Sequence, residues 1–299
     1  MSTTAARPLL LGRFEQVDAM LDEAERVVWL RLHSRPVQCY SLELLDQLKA
    51  VTDRFLDHPE RVRYLVLASG TPGVFNFGGD LALFSLLRKA NDRVSLREYG
   101  QRCLERIFFM MDAPDQGIIS IALVQGDALG GGLESALSAQ VLVAERGTQM
   151  GFPETLFNLF PGMGAWQFVT RKAGAHIANK MIMSGDVYRA EQLFEWGLVD
   201  VLAEPGRGEQ AVRDYVRGNE SLFEGRCAAY AARNAACPLD RTTFDGVVDR
   251  WATSAVRLAD RDRRLMERLV RAQLKKIVGS SSGGAVEAVQ IEARAAHFA

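Results

Sequence analysis

Residues 118–126 read IISIALVQG, apolar at almost every position, and a glycine run follows at once in DALGGGLE (127–134). A sheet strand with one wet face alternates apolar and polar residues. A continuous apolar run this short, bounded by glycine, fits a strand covered on both faces. ERVVWLRLH (25–33), VRYLVLAS (62–69) and QVLVAERG (140–147) also read as strands. Between them, SLELLDQLKAVTDRFL (41–56) places apolar residues at 42, 44, 45, 48, 51, 55 and 56, a helical spacing. GGDLALFSLLRKA reads as a turn feeding a helix, and a further helix is expected over about 95–111. Strands alternating with helices predict an α/β fold. After about 199–202 no convincing strand remains. Residues 206–278 read as helices, with one long helix expected over 248–276 because little glycine or proline interrupts it. The chain thus divides into a core (1–205), a helical region (206–278) and a tail (279–299) that opens with the flexible tract GSSSGG.

Composition narrows the classes of partner. The 299 residues carry a formal net charge of −1, so no global field draws the chain to nucleic acid or to anionic lipid. No apolar run approaches the ~20 residues of a membrane span. The opening MSTTAARPLLLGRFEQ has no signal-peptide core, so the expected location is cytoplasmic. Cys39, Cys103, Cys227 and Cys237 form no C-x-x-C pair and are expected to be free thiols. His33, His58, His176 and His297 form no H-x-x-x-H or Cys/His cluster, so no metal site is expected.

The glycines need a reason, since glycine in a helix interior costs about 0.5–1 kcal/mol relative to alanine. Their spacing fits neither G-x-G-x-x-G nor a P-loop. A strand ending at Gly126 and a helix starting near Gly131 leave unpaired amides, and the helix dipole adds positive potential there. Such a turn binds an anion, or an oxygen that becomes anionic during reaction. Alternatively it serves close strand–helix packing alone. FNFGGDLALF (75–84) is a second glycine turn, in which Asp80 reads as the residue that stabilises the helix start. GFPETLFNLFPGMGA (151–165) then places Glu154 twenty residues after Glu134, again among apolar neighbours. Two donor turns and two carboxyls in apolar surroundings supply what proton transfer next to a polarised carbonyl needs. The competing readings of Glu134 and Glu154 are a solvated first-turn glutamate and a capping carboxylate.

On these three segments the sequence resembles the crotonase, or enoyl-CoA hydratase/isomerase, superfamily over roughly residues 20–205. The resemblance implies a spiral of ββα units with a C-terminal helical region for trimerisation or as a lid, assembled as a trimer or hexamer. It implies no cofactor, and an acyl-CoA or acyl carrier protein thioester as substrate. By motif, Gly79 and Gly131 would form an oxyanion hole, and Glu134 and Glu154 would carry the acid–base work. Phe77, Gly78, Leu81, Phe84, Leu87, Gly130, Phe152, Leu156, Phe157, Met163 and Trp166 are the candidate substrate-binding residues. FNFGGDLALF, ALVQGDALGGGLESALS, PETLFNLFPGMGA and MERLVRAQ further resemble bacterial diffusible-signal-factor synthases. That branch implies dehydration of a 3-hydroxyacyl carrier-protein thioester to a cis-2-enoyl form, thioester hydrolysis, and association with a sensor kinase. An ordinary enoyl-CoA hydratase, or a regulatory binding protein with little catalysis, are the alternatives. Residues 250–276 carry nine Arg/Lys against three acids, read either as a docking face for an acidic carrier or CoA, or as a solvated helix face.

Overall fold

A computed structural model describes residues 9–56, 59–262, 264–266 and 268. Its main sheet has seven strands: β1 (Leu9–Leu10), β2 (Val17–Asp22), β3 (Val27–Leu32), β4 (Tyr64–Ser69), β6 (Ile119–Val124), β8 (Val141–Glu145) and β11 (Val201–Ala203), in the order β1-β2-β3-β4-β6-β8-β11. From β3 onward every pairing is parallel. Alternate side chains of the continuous apolar runs enter two different cores. Val28 and Leu30, Leu65 and Leu67, Ala122 and Val124, Leu142 and Ala144 face one side. Val27 and Trp29, Tyr64 and Val66, Ile119 and Ile121, Val141 and Val143 face the other. Covering both faces is why these runs do not alternate in polarity.

A second sheet of short strands runs beside the first: β5 (Val74–Asn76), β7 (Asp127–Leu129), β9 (Gln149–Gly151) and β10 (Val187–Arg189), in the order β10-β9-β7-β5. The unit "long strand, short strand, helix" recurs. β4 and β5 lead to α2 (Leu81–Lys89) and α3 (Arg93–Met111). β6 and β7 lead to α4 (Gly131–Ser138), and β8 and β9 to α5 (Ala165–Ser184). In the unit made by β3 and α1 (Leu42–Leu56), the short strand shrinks to one parallel bridge from Tyr40 to Gly79. This is the expected spiral of ββα units.

After α6 (Ala190–Glu195) and β11, the described chain is helical: α7 (Gly208–Gly218), α8 (Phe223–Ala236) and α9 (Arg241–Val256). The single long helix expected over 248–276 is corrected here, because α9 stops at Val256 with Arg257 as its cap. Leu258 and Met266 turn into the main core, and Asp262 Oδ2 accepts the Ala259 N–H to open a new helical turn. Burial of those side chains overrides helix propensity, with no glycine or proline needed to break the run. The remainder of 248–276, much of the basic run and the 279–299 tail lie outside the described residues. No helix among the described residues is long and apolar enough to cross a membrane.

Candidate active site

The short sheet assembles the site. β5, β7 and β9 are parallel neighbours, so their carboxyl ends lie side by side. Gly79 follows the first, Gly131 the second and Glu154 the third. Ligands of parallel α/β sheets gather at such strand ends. The two glycine turns touch: a Cβ on Gly131 would stand 3.3 Å from Gly78 Cα and 3.6 Å from Gly79 N. Neither the Gly79 nor the Gly131 amide has a protein acceptor among the described residues. Both glycines are part-exposed, whereas Gly78, Gly130 and Gly132 are buried. Two amides without a protein acceptor therefore lie close together and part-exposed, an arrangement suited to hold a developing oxyanion.

The flanking glycines are demanded by close approach. Gly78 (φ +89°) would put a Cβ 2.8 Å from Gly131 N. Gly130 (φ +54°) would put one 2.3 Å from Glu154 Oε1. Gly130→Ala is expected to displace that carboxyl and cut turnover at least ~10-fold, besides the strain of a backbone (φ 54°, ψ −126°) that L side chains rarely adopt. Measuring kcat of the folded variant checks this, and a near-native value would show that the carboxyl keeps its place. Asp80 caps α2 as expected, its Oδ1 accepting the Ala82 and Leu83 amides at 3.0 Å each.

Glu134 lies in the first turn of α4 and is buried. Its Oε1 accepts the Met163 N–H at 2.7 Å and the Ala165 N–H at 3.0 Å, so the start of α5 also points at it. Burial pushes its pKa up to about 7, against the lowering effect of those two amides. Glu154 follows Pro153 in a 3-10 turn, Pro153–Phe157. Its Oε2 is shielded from solvent and has no hydrogen-bond partner among the described residues. Burial, and then the Glu134 charge, push the Glu154 pKa up to about 8. Glu134 is buried and Glu154 is half-buried with its Oε2 shielded, so neither is a solvated surface glutamate, and such a pair carries protons near neutrality.

Phe77, Phe84, Phe152, Phe157 and Met163 are buried, and Leu81, Leu87 and Trp166 are half-buried. Leu156 differs from the others: it is 58% exposed and leans on Gly185, where a Cβ would lie 2.8 Å from its Cγ. The 3-10 turn that points Glu154 inward rotates Leu156 outward. Phe84 packs against Trp251 of α9 at 5.7 Å between ring centroids, and Trp251 also lies over Gly162. The chain's own helical region thus packs against Phe84 and the Gly162 turn. Asn158 Nδ2 donates to Asp262 Oδ1 at 2.8 Å, and Arg88 pairs with Asp260 at 2.8 Å, which fastens the segment after α9 across α2 and the Glu154 turn. Residue patterns gave no sign of Ala165, which acts through its backbone, or of Tyr40 and Tyr99, which lie distant in sequence. Among the described residues no group of three His, Cys, Asp or Glu side chains is placed to hold a metal ion.

Residues 22–236 match the enoyl-CoA hydratase/isomerase family, and the chain belongs to it. It is 30% identical over 178 residues to a Bacillus subtilis protein named probable enoyl-CoA hydratase, covering 60% of this chain and 66% of that one. It is 28% identical over 186 residues to the fatty acid oxidation complex subunit alpha of Aliivibrio fischeri, covering 61% of this chain and 26% of that subunit. The chain thus spans less than two thirds of the length of either relative. The crystal structure of an enoyl-CoA hydratase from Bacillus anthracis shares its fold, with a TM-score of 0.65 at 20% identity over 90% of this chain and 97% of the other.

Proposed function

We propose that this chain adds or removes water across the α,β bond of an acyl thioester. The observation that carries the reading is the pairing of two unpartnered amides, Gly79 and Gly131, with two desolvated carboxyls, Glu134 and Glu154. The thioester carbonyl oxygen accepts both amides, and one such donor is typically worth about 2.7–4 kcal/mol to the enolate-like state. In the dehydration direction, one carboxylate takes the α-proton, and the other, protonated, gives its proton to the departing β-hydroxyl. Hydration is the reverse. One proton shared between two carboxyls is therefore the working state. The pair titrates near 7 and 8, so kcat/KM is expected to be bell-shaped with its maximum between those values. A flat profile from pH 6 to 9 would count against the pair.

Within that class, the chain is read as a dehydratase and thioesterase. It would convert a 3-hydroxyacyl carrier-protein thioester to the cis-2-enoyl form, then release the free acid and the carrier thiol by adding water. The resemblance of four sequence stretches to diffusible-signal-factor synthases supports this reading, which brings with it a trimer or hexamer and docking to a sensor kinase. An ordinary enoyl-CoA hydratase is the second reading, favoured by the family match and by the name of the Bacillus subtilis relative. The test is incubation with a medium-chain 3-hydroxyacyl thioester on carrier protein and, separately, on CoA, read by mass spectrometry. Free 2-enoic acid from the carrier substrate is expected. Enoyl-CoA that stays esterified supports the second reading, and no reaction of either overturns both.

A further inference from the structure

Gly79 would act through a peptide plane, and two tyrosines hold that plane. The Gly79 N–H belongs to the same rigid peptide as the Gly78 carbonyl and points opposite to it. That carbonyl accepts the Tyr40 N–H at 2.8 Å. On the other side of Gly79, the Asp80 N–H donates to the Tyr99 hydroxyl at 2.8 Å, and that hydroxyl donates to the Tyr40 carbonyl at 2.7 Å. Both peptides flanking Gly79 are therefore tied to Tyr40, one directly and one through Tyr99. The Tyr99 hydroxyl also lies 3.4 Å from where a Cβ on Gly79 would stand. Tyr40 then reaches the other donor: its hydroxyl donates to Ser135 Oγ at 2.6 Å, on α4, the helix that Gly131 opens. Both rings are buried, so neither bond competes with water.

We propose that Tyr40 and Tyr99 form a brace that sets the orientation of the Gly79 amide and its separation from the Gly131 amide. They are positioning residues for the reaction. The inference rests on the reading of those two amides as carbonyl donors. Buried hydroxyls serving only stability would be equally at home elsewhere in the core. Here the bonds end on the two peptides flanking Gly79, on the Tyr40 carbonyl between them and on the helix that Gly131 opens.

The variants are Tyr99→Phe and Tyr40→Phe in the full chain. The readouts are kcat, KM and the isotope-edited infrared stretch of a 13C-labelled enoyl thioester carbonyl bound to the protein. In the native protein that stretch is expected well below its value in solution. Tyr99→Phe is expected to lower kcat by about 10–30-fold, less than outright loss of an oxyanion donor. KM should stay within about 3-fold, the bound carbonyl should move back toward its free frequency, and the pH limits should not change. Tyr40→Phe, which removes only the bond to Ser135 and leaves the backbone ties of Tyr40 in place, should act in the same direction, and the double variant should be less than additive because both serve one brace. A lowered Tm with native kcat and native carbonyl shift, in whichever single variant folds, overturns the brace. A native protein that shows neither turnover nor a carbonyl shift overturns the donor reading beneath it.

Discussion

Replacing Glu134 by Gln should abolish most turnover and at the same time make the protein harder to unfold above neutral pH. Positioned acid–base catalysis contributes about 10²–10⁴-fold, so at least a ~100-fold fall in kcat is expected, for Glu154→Gln as well. The stability gain follows from the sign of the shifts. Each glutamate has its folded pKa raised from 4.5, to about 7 and about 8. The folded chain then holds protons that the unfolded chain releases, and stability from these groups falls as pH rises through that window. It is fully present below about 4.5 and lost above the folded values. The amide of Glu134→Gln has no charge to desolvate, and its carbonyl can still accept the Met163 and Ala165 amides. That variant therefore avoids a cost on the order of 3 kcal/mol at pH 8, and little at pH 4. Thermal melts of native and variant protein at the two pH values test this directly. Equal Tm differences at both would mean that the carboxyl is not desolvated, and near-normal turnover would remove it from the chemistry.

The second large effect is Gly132→Ala. A Cβ there would stand 2.1 Å from the Asn76 carbonyl oxygen and 2.7 Å from its carbon. Those are backbone atoms at the end of β5, with Asn76 itself buried and bound through Oδ1 to the Gly78 amide. Neither α4 nor β5 can withdraw without moving a donor turn. The cost should exceed the about 1–3 kcal/mol of ordinary overpacking, and loss of soluble folded protein is the expected result. Gly246→Ala in α9 is the matched control, since nothing lies within 4 Å of its Cβ position. Relieving glycine's helix penalty there should stabilise by about 0.5–1 kcal/mol. A Gly132→Ala protein that expresses and melts like the native one would show that the glycine turns pack more loosely than described.

Much of the long sheet was legible in the sequence, because doubly buried parallel strands leave continuous apolar runs. β2 was not: VDAMLD carries two aspartates and pairs antiparallel at the sheet's edge region, so it lacks that signature. The short sheet was invisible for a different reason. Three-residue strands such as β5, β7 and β9 are too brief for any period, and the glycines and polar residues in and just after them read as turns. The glycine turns and the two glutamates could be singled out, and the fold brings them together. What holds them could not be read. Glu134 accepts main-chain amides of Met163, just before α5, and Ala165, its first residue, and the peptides around Gly79 bond to Tyr40 and Tyr99, far off in sequence. Backbone donors have no residue signature, and partners 19 to 59 positions apart meet only through the sheet order.

Because Gly79, Gly131 and Glu154 each arrive at the end of a separate parallel strand, the fold works as a socket with interchangeable contacts. The long sheet and its two cores do not depend on which side chain follows β9, so Glu154 can be exchanged with little consequence for folding. Gly78, Gly130 and Gly132, wedged between neighbouring turns, have no such freedom. A lineage built on this frame would therefore be expected to change its chemistry at the carboxyls long before it altered the glycines.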